Sequence, residues 1–177
     1  MRGDVMKSNA LRLKDVNPAH PPAPHLAASH HWSAGDYIVL SLNPEPFEQI
    51  ISGRKHFEYR TRFRRSRFVA FIYVTRPVQQ IRAVMECGDP IFGSARKIAD
   101  FAEHDQPGNG RAIYDYLASS GKGCAIPIVR TREFEPLTLA RMRKDFGFSP
   151  PQFYSALEKT PDFLEFLLSY AAQSRMK

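Results

Sequence analysis

The chain has 177 residues, a length at which one domain can bury a core without disulfide or metal staples. Its 43% hydrophobic and 24% charged residues are typical of a globular protein, and no apolar run approaches the roughly 20 residues that span a bilayer. Two cysteines, Cys87 and Cys124, are too few for a disulfide scaffold or a four-thiolate zinc site. These features argue against membrane-spanning and disulfide-stapled classes, and we expect a cytoplasmic protein without a metal or another cofactor.

Most of the net charge of +7 is concentrated in one segment, residues 54–67. This segment contains seven Lys or Arg residues and one acid, which leaves almost no net charge for the rest of the chain. A concentrated positive field attracts phosphate groups, whereas a diffuse excess of charge mainly affects solubility. The pattern predicts a polyanionic partner. The expected phosphate contacts are Arg54, Arg62, Arg64, Arg65 and Arg67.

Residues 1–35 are rich in proline and histidine and predict a flexible tail. Four prolines and four histidines lie within residues 17–32, and proline prevents both helices and strands from propagating. Histidines this close can bind a divalent metal, but no other ligand type is nearby, so we predict no metal site. Residues 36–160 are predicted to form the folded domain, and residues 161–177 an amphipathic helix packed on it.

The first predicted elements of the domain are a strand and a helix. Tyr37–Leu42 is a short, β-rich apolar run of the kind that forms a buried strand. Asn43 can cap the helix that follows, and Pro44 suits its first turn. Gly53 supplies the left-handed residue that ends this helix.

Apolar and polar residues then alternate through residues 55–64, which predicts a strand with one basic face. One face carries Lys55, Phe57, Tyr59, Thr61 and Phe63, and the other carries His56, Glu58, Arg60, Arg62 and Arg64. Alternating aromatic residues usually face a core, although they can also stack on bases. Glu58 either forms a solvated ion pair with its neighbours or accepts a hydrogen bond from an amino group of a base.

The remainder of the chain predicts an α+β domain with helices inserted between strands and appended after them. The predicted strands are residues 68–74, 78–85, 122–129 and 133–137, in antiparallel-looking succession. The predicted helices are residues 94–104, 111–118, 138–145, 151–159 and 161–176.

The spacing Gly-x-Lys-x-x-Glu-x-Arg, carried by Gly53, Lys55, Glu58 and Arg60, resembles the signature of the ASCH domain family. The similarity continues through residues 37–157 and is typical of a longer, bacterial-type member. The resemblance implies an α+β fold, a small PUA-like mixed or antiparallel β-barrel with inserted and C-terminal helices. It also implies RNA binding through a cleft that Lys55, Glu58 and Arg60 line.

A shared cleft places a geometric condition on this motif. The odd spacing between Lys55 and Glu58 puts them on opposite faces of a regular strand. They can meet only if Lys55 precedes the strand, or if the strand has a bulge near His56. We expect the first arrangement, because Gly53 comes directly before this segment.

We interpret the chain as a monomer that binds single-stranded RNA or a nucleotide, with no membrane association and no obligate protein partner. Arginines would follow the phosphates, and the cleft would hold one nucleotide. About five neutralised phosphates on a single strand predict a slope of about −3.5 for log affinity against log salt concentration.

Catalytic alternatives use the same region. A metal-independent ribonuclease needs a base, a proton donor and a cation for the developing charge. The candidates are Lys55 and Glu58, with His56, Tyr59 and Ser41 as weaker ones. Some ASCH members resemble acetylcytidine amidohydrolases, which have a threonine three residues after the lysine. This chain has Glu58 there, which argues against that activity. A protein-interaction domain with an incidentally basic strand is a third interpretation.

Overall fold

A computed structural model describes residues 33–173, and this part of the chain forms seven strands and five helices. In chain order they are β1 (Tyr37–Leu42), α1 (Pro44–Ile51), β2 (Phe57–Arg60), β3 (Phe68–Val74), β4 (Gln80–Cys87), β5 (Ile91–Ser94), α2 (Ala95–Asp105), α3 (Gly110–Ala118), β6 (Lys122–Thr138), α4 (Leu139–Phe146), β7 (Tyr154–Ala156) and α5 (Pro161–Gln173). A short 3-10 turn, Ala34–Asp36, precedes β1. The predicted tail, including its histidines, otherwise lies outside the described residues.

The strands form one mixed sheet in the order β2-β6-β4-β3-β1-β7, with β5 paired to β6 beside this path. Neighbouring strands are antiparallel except β1 and β3, which run parallel. The end strands β2 and β7 do not pair with each other, so the sheet curls into a half-barrel that stays open between them. We call this opening the seam. The predicted α+β fold is confirmed, with a barrel that is only half closed.

Strand β6 connects the two parts of the sheet. Its first residues pair with β2 and β5, and residues 128–138 pair with β4. The register of the β4–β6 pair shifts between Ile81 and Ala83, and such a bulge bends a sheet. The prediction of two strands, residues 122–129 and 133–137, is wrong, because β6 is continuous over both. Pro136 falls within the irregular register, where it blocks no ladder hydrogen bond.

Three apolar clusters hold the elements together. The sheet face enclosed by the curl packs on α1 through Phe47 and Ile50. The opposite face packs on α4 and α5, where Phe163 and Leu167 are buried. Helices α2 and α3 cover β2 and the first part of β6, and Leu117 of α3 is fully buried there. Strand β2 therefore lies between these two helices and the interior of the half-barrel.

The segment predicted as a helix over residues 151–159 is instead a loop followed by β7. The free edge of β1 accounts for this difference, because it takes β7 as an antiparallel partner with Leu40 opposite Tyr154. A short isolated helix is only marginally stable, and pairing with β1 gives these backbone groups hydrogen bonds in a ladder instead. Long-range pairing of this kind leaves no periodic signal in the local sequence.

Smaller differences occur elsewhere in the chain. The strand predicted over residues 55–64 ends at Arg60, and residues 61–67 form a loop, which we call the basic loop. Strand β4 begins at Gln80, two residues later than predicted. Strand β5 was not predicted at all. Asn43 precedes α1, but its side chain accepts a hydrogen bond from the Thr75 hydroxyl instead of capping the helix.

Gly123 of β6 marks a close approach between β6, β2 and α3, and its replacement tests how tightly these elements pack. A Cβ atom there would lie 2.6 Å from Leu117 Cδ2 and 2.9 Å from the Arg60 carbonyl oxygen. We expect Gly123→Ala to lower the free energy of unfolding by about 1–3 kcal/mol, measured by urea denaturation, because overpacking forces these elements apart. Gly88→Ala is the control, since its Cβ would meet no atom closer than 3.4 Å. Equal effects of the two variants would contradict this account.

Candidate nucleic-acid interface

The three charged residues of the sequence motif meet in one ion triad at the edge of the half-barrel. Lys55 Nζ lies 2.7 Å from Glu58 Oε2, and Arg60 Nε lies 3.0 Å from Glu58 Oε1. Glu58 is 5% exposed, and the side chains of Lys55 and Arg60 are also largely buried. The structure thus brings together the three head groups that the sequence placed in one cleft, and buries the carboxylate between two cations.

The position of β2 explains why this triad forms. Glu58 and Arg60 lie opposite Ile126 and Cys124 of β6, and both of these residues belong to the core that the half-barrel encloses. Residues that oppose each other across antiparallel strands share a face, so Glu58 and Arg60 point into the half-barrel. Lys55 precedes β2, as predicted, and therefore escapes the alternation of the strand.

The triad has two cations and one carboxylate, so it carries one excess positive charge where water has little access. Buried charges are tolerated when their polar groups are paired. Arg60 Nη2 donates to the Ser41 carbonyl oxygen at 3.1 Å, whereas Arg60 Nε approaches Glu58 without the alignment of a hydrogen bond. Each oxygen of Glu58 faces a cation. This geometry favours a role for Glu58 in orienting Lys55 and Arg60 over a role in reading a base.

A cleft of about 270 Å³ opens beside Arg60 at the seam, between the end of β2 and the residues that lead into β7. It is lined by Arg60, Thr61, Arg62, Phe63, Tyr116, Phe153 and Tyr154. Of the three residues that the resemblance implied for a cleft, only Arg60 lines it, whereas Lys55 and Glu58 contribute through the triad. We call Tyr116, Phe153 and Tyr154 the aromatic wall; their exposed fractions are 46%, 58% and 38%. Exposed rings next to arginines are the arrangement in which proteins stack an unpaired base and neutralise its phosphate.

Two of the three alternating aromatic residues of residues 55–64 are not in this cleft. The ring of Phe57 packs edge-on against Phe101 of α2 with centroids 4.7 Å apart. Tyr59 is buried beneath α2 and α3, and burial raises the pKa of its hydroxyl. For these two residues the core interpretation holds, because β2 turns this face toward the helices.

The aromatic wall itself was missed by sequence reasoning. Phe63, the third of the alternating aromatic residues, lines the cleft and contacts the ring of Tyr154 with centroids 4.8 Å apart. The available signal was the adjacent pair Phe153–Tyr154 after two prolines, which the helix prediction obscured. Tyr116 gave no signal, because aromatic residues on a helix usually face a core.

The predicted phosphate contacts fall into two groups. Arg64 is held by the protein itself: its Nη1 donates to the Gly35 carbonyl oxygen at 2.9 Å and its Nη2 donates to the Ser66 hydroxyl at 3.1 Å. It therefore anchors the chain just before β1. The guanidinium of Arg65 lies 5.0 Å from the centre of the Phe92 ring. The second group consists of the four exposed arginines, Arg54, Arg62, Arg65 and Arg67.

The weaker catalytic candidates occupy separate environments. The Ser41 hydroxyl donates to the Pro151 carbonyl oxygen at 2.7 Å. Tyr59 lies on the face of β2 opposite to Glu58. His56 Nδ1 is 3.2 Å from Asp105 Oδ1, at the end of α2. The three side chains therefore do not converge on one point.

Thiol and metal chemistry receive no support from the geometry. Burial raises the pKa of Cys87, and raises that of Cys124 to about 11, so both thiols stay protonated at neutral pH. Between residues 33 and 173 the structure contains no group of three His, Cys, Asp or Glu side chains placed to hold a metal ion. No helix in the same range is long and apolar enough to cross a membrane.

The triad can be tested by removing the charge of Glu58. We expect Glu58→Gln to lower the free energy of unfolding by about 2–4 kcal/mol in urea titrations, because it leaves two buried cations without a counter-charge. Glu133→Gln is the matched control: Glu133 pairs with Arg82 at 3.3 Å on a more exposed surface, where an ion pair contributes about 1 kcal/mol or less. If the two variants lose equal stability, Glu58 contributes no more to folding than an ion pair on the surface does.

No protein-family model matches the sequence, and no curated protein matches it. Among solved structures, the ASCH protein of Zymomonas mobilis superposes with a TM-score of 0.66 at 23% sequence identity, covering 76% of this chain and 94% of that chain. A serine-to-alanine variant of that protein gives a TM-score of 0.64 at 24% identity, covering 75% of this chain and 97% of its own. A tyrosine-to-phenylalanine variant gives 0.63 at 23% identity, with 73% and 97% covered.

These likenesses extend over most of both chains, so they concern the whole half-barrel and not a shared motif. The resemblance stated from Gly53, Lys55, Glu58 and Arg60 is therefore confirmed at the level of the fold. The part of the chain that the structure describes has the fold of an ASCH domain.

Proposed function

We propose that this protein binds single-stranded RNA and holds one nucleotide in the cleft at the seam. The observation that carries the proposal is the pairing of two unlike walls. On one side Arg60 is fixed by Glu58 and the Ser41 carbonyl; on the other, the aromatic wall presents exposed rings. Phosphate suits the first wall and a base suits the second.

The size of the cleft supports an unpaired nucleotide as the ligand. Its volume of about 270 Å³ is at the small end for ligand pockets, so it suits a single nucleotide better than a duplex or a folded partner. A base can stack on these rings only when it is released from a helix. The excess positive charge of the triad attracts an anion, and Arg62 extends that charge along the cleft.

We further propose that the protein acts on RNA as a monomer in the cytoplasm. A metal-independent ribonuclease remains an outcome of the cleavage test below, and an amidohydrolase is disfavoured by Glu58 at the position of the family's threonine. Neither is proposed, because Lys55 and Glu58 contact each other within the triad. Exposed rings beside an arginine also occur in protein interfaces, so RNA retention is the result that separates a protein-interaction domain from the proposal.

Replacing Phe153 tests the aromatic wall. We expect Phe153→Ala to weaken binding of a fluorescein-labelled, mixed-sequence single-stranded oligoribonucleotide by about 5- to 100-fold in fluorescence anisotropy, because stacking contributes about 1–3 kcal/mol per base. Leu168→Ala is the control, since Leu168 is an exposed apolar residue on α5 outside the cleft. A duplex of the same sequence should compete poorly.

The same samples separate binding from cleavage. After incubation with EDTA, the RNA is analysed on a denaturing gel, and the proposal expects intact strands. Cleavage that persists in EDTA and disappears in Lys55→Ala would favour the ribonuclease. Wild-type protein that retains no RNA would overturn the proposal and favour a protein-interaction domain.

Salt dependence tests the basic loop. Arg64 is held by Gly35 and Ser66, so the structure leaves four exposed arginines of the five first expected. With Arg60 as the fifth phosphate contact, we expect a slope of about −3.5 for log affinity against log salt concentration, at about −0.7 for each neutralised phosphate. Arg62→Ala should make this slope shallower by about 0.7, because one phosphate contact is lost. Arg96→Ala, which removes an exposed arginine from α2, should leave the slope unchanged; a slope near zero in the wild type would exclude the basic loop from binding.

A further inference from the structure

Ser41, at the end of β1, contacts both walls of the cleft without lining it. Its carbonyl oxygen accepts a hydrogen bond from Arg60 Nη2 at 3.1 Å. Its N–H donates to the Phe153 carbonyl oxygen at 3.0 Å, and its hydroxyl donates to the Pro151 carbonyl oxygen at 2.7 Å. The residue is 6% exposed, so water competes little for these bonds.

We infer that Ser41 is a positioning residue that sets the distance between Arg60 and the aromatic wall. The inference rests on the proposed function, because it assigns a purpose to that spacing. A base stacks on a ring, and its phosphate meets a guanidinium, only when the two lie one nucleotide apart. Ser41 bonds to both sides, and β1 fixes Ser41 itself between β3 and β7.

The hydroxyl is the part of Ser41 that depends on residue identity. The bonds to Arg60 and to the Phe153 carbonyl use backbone groups, which any residue except proline supplies for the N–H. The bond to Pro151 needs a side-chain donor. Residues 150 and 151 are both proline and have no N–H with which to fix their own segment. The hydroxyl therefore restrains the loop that carries Phe153 into the cleft.

Ser41→Ala removes this restraint and leaves both backbone bonds in place. Ile81→Val serves as the control, because it removes one methyl group from a fully buried site on β4 and costs a similar amount of stability. Two measurements apply to both variants and the wild type. The first is hydrogen exchange of residues 149–156 in the free protein. The second is the fluorescence of an oligouridine that carries one 2-aminopurine, at saturating protein, since stacking quenches this base.

We expect Ser41→Ala to exchange faster in residues 149–156, to lose about half of the 2-aminopurine quenching, and to bind about two- to ten-fold more weakly. Ile81→Val should match the wild type in all three. Normal quenching in Ser41→Ala, with quenching present in the wild type, overturns the positioning role alone. RNA that binds the wild type without quenching, or that does not bind, overturns the proposed function and this inference together. Equal loss of quenching in Ser41→Ala and Ile81→Val also overturns the positioning role of Ser41, because lower stability alone then accounts for the effect.

Discussion

Two cations share the Glu58 carboxylate at the place where the sheet fails to close, and this contact governs the surrounding structure. An apolar strand at this position could continue the core and pair with β7. Instead, β2 turns Glu58 and Arg60 toward the interior, next to Cys124 and Ile126. The triad keeps one charge in excess, and a barrel sealed over it would remove the 13% exposure that the Lys55 and Arg60 side chains retain. The open seam and the buried ions are therefore two aspects of one arrangement.

The cleft is assembled from parts of the chain that are far apart in sequence. Arg60 and the basic loop come from the end of β2, Tyr116 from α3, and Phe153 from the loop before β7. Each part is fixed by a different neighbour: Glu58 holds Arg60, the close approach at Gly123 seats α3, and β1 holds the loop. Rigid elements thus present a site whose lining is mostly loop, a common division of labour in binding proteins.

Local signals predicted much of the fold. Strands β1 and β3 and helices α2 and α3 followed from apolar runs, caps and spacing, whereas the position of Lys55 before β2 followed from the cleft that the family resemblance implied. The failures have a common cause. Strand β7 and the continuity of β6 depend on partners more than thirty residues away, and β5 is only four residues long. For the site, the motif indicated the triad, whereas the aromatic wall depends on tertiary placement that no local pattern encodes.

The pairing of β1 with β7 has a consequence for the order in which the chain can acquire its structure. Leu40 and Tyr154 are neighbours in the sheet but stand 114 positions apart in the sequence, as their numbers show. On a ribosome, one edge of β1 therefore remains uncovered until almost the whole domain has been synthesised. Contacts of such long range make folding slow, and an uncovered edge invites pairing with another nascent chain. The shortness of β1, which has 6 residues, limits this hazard.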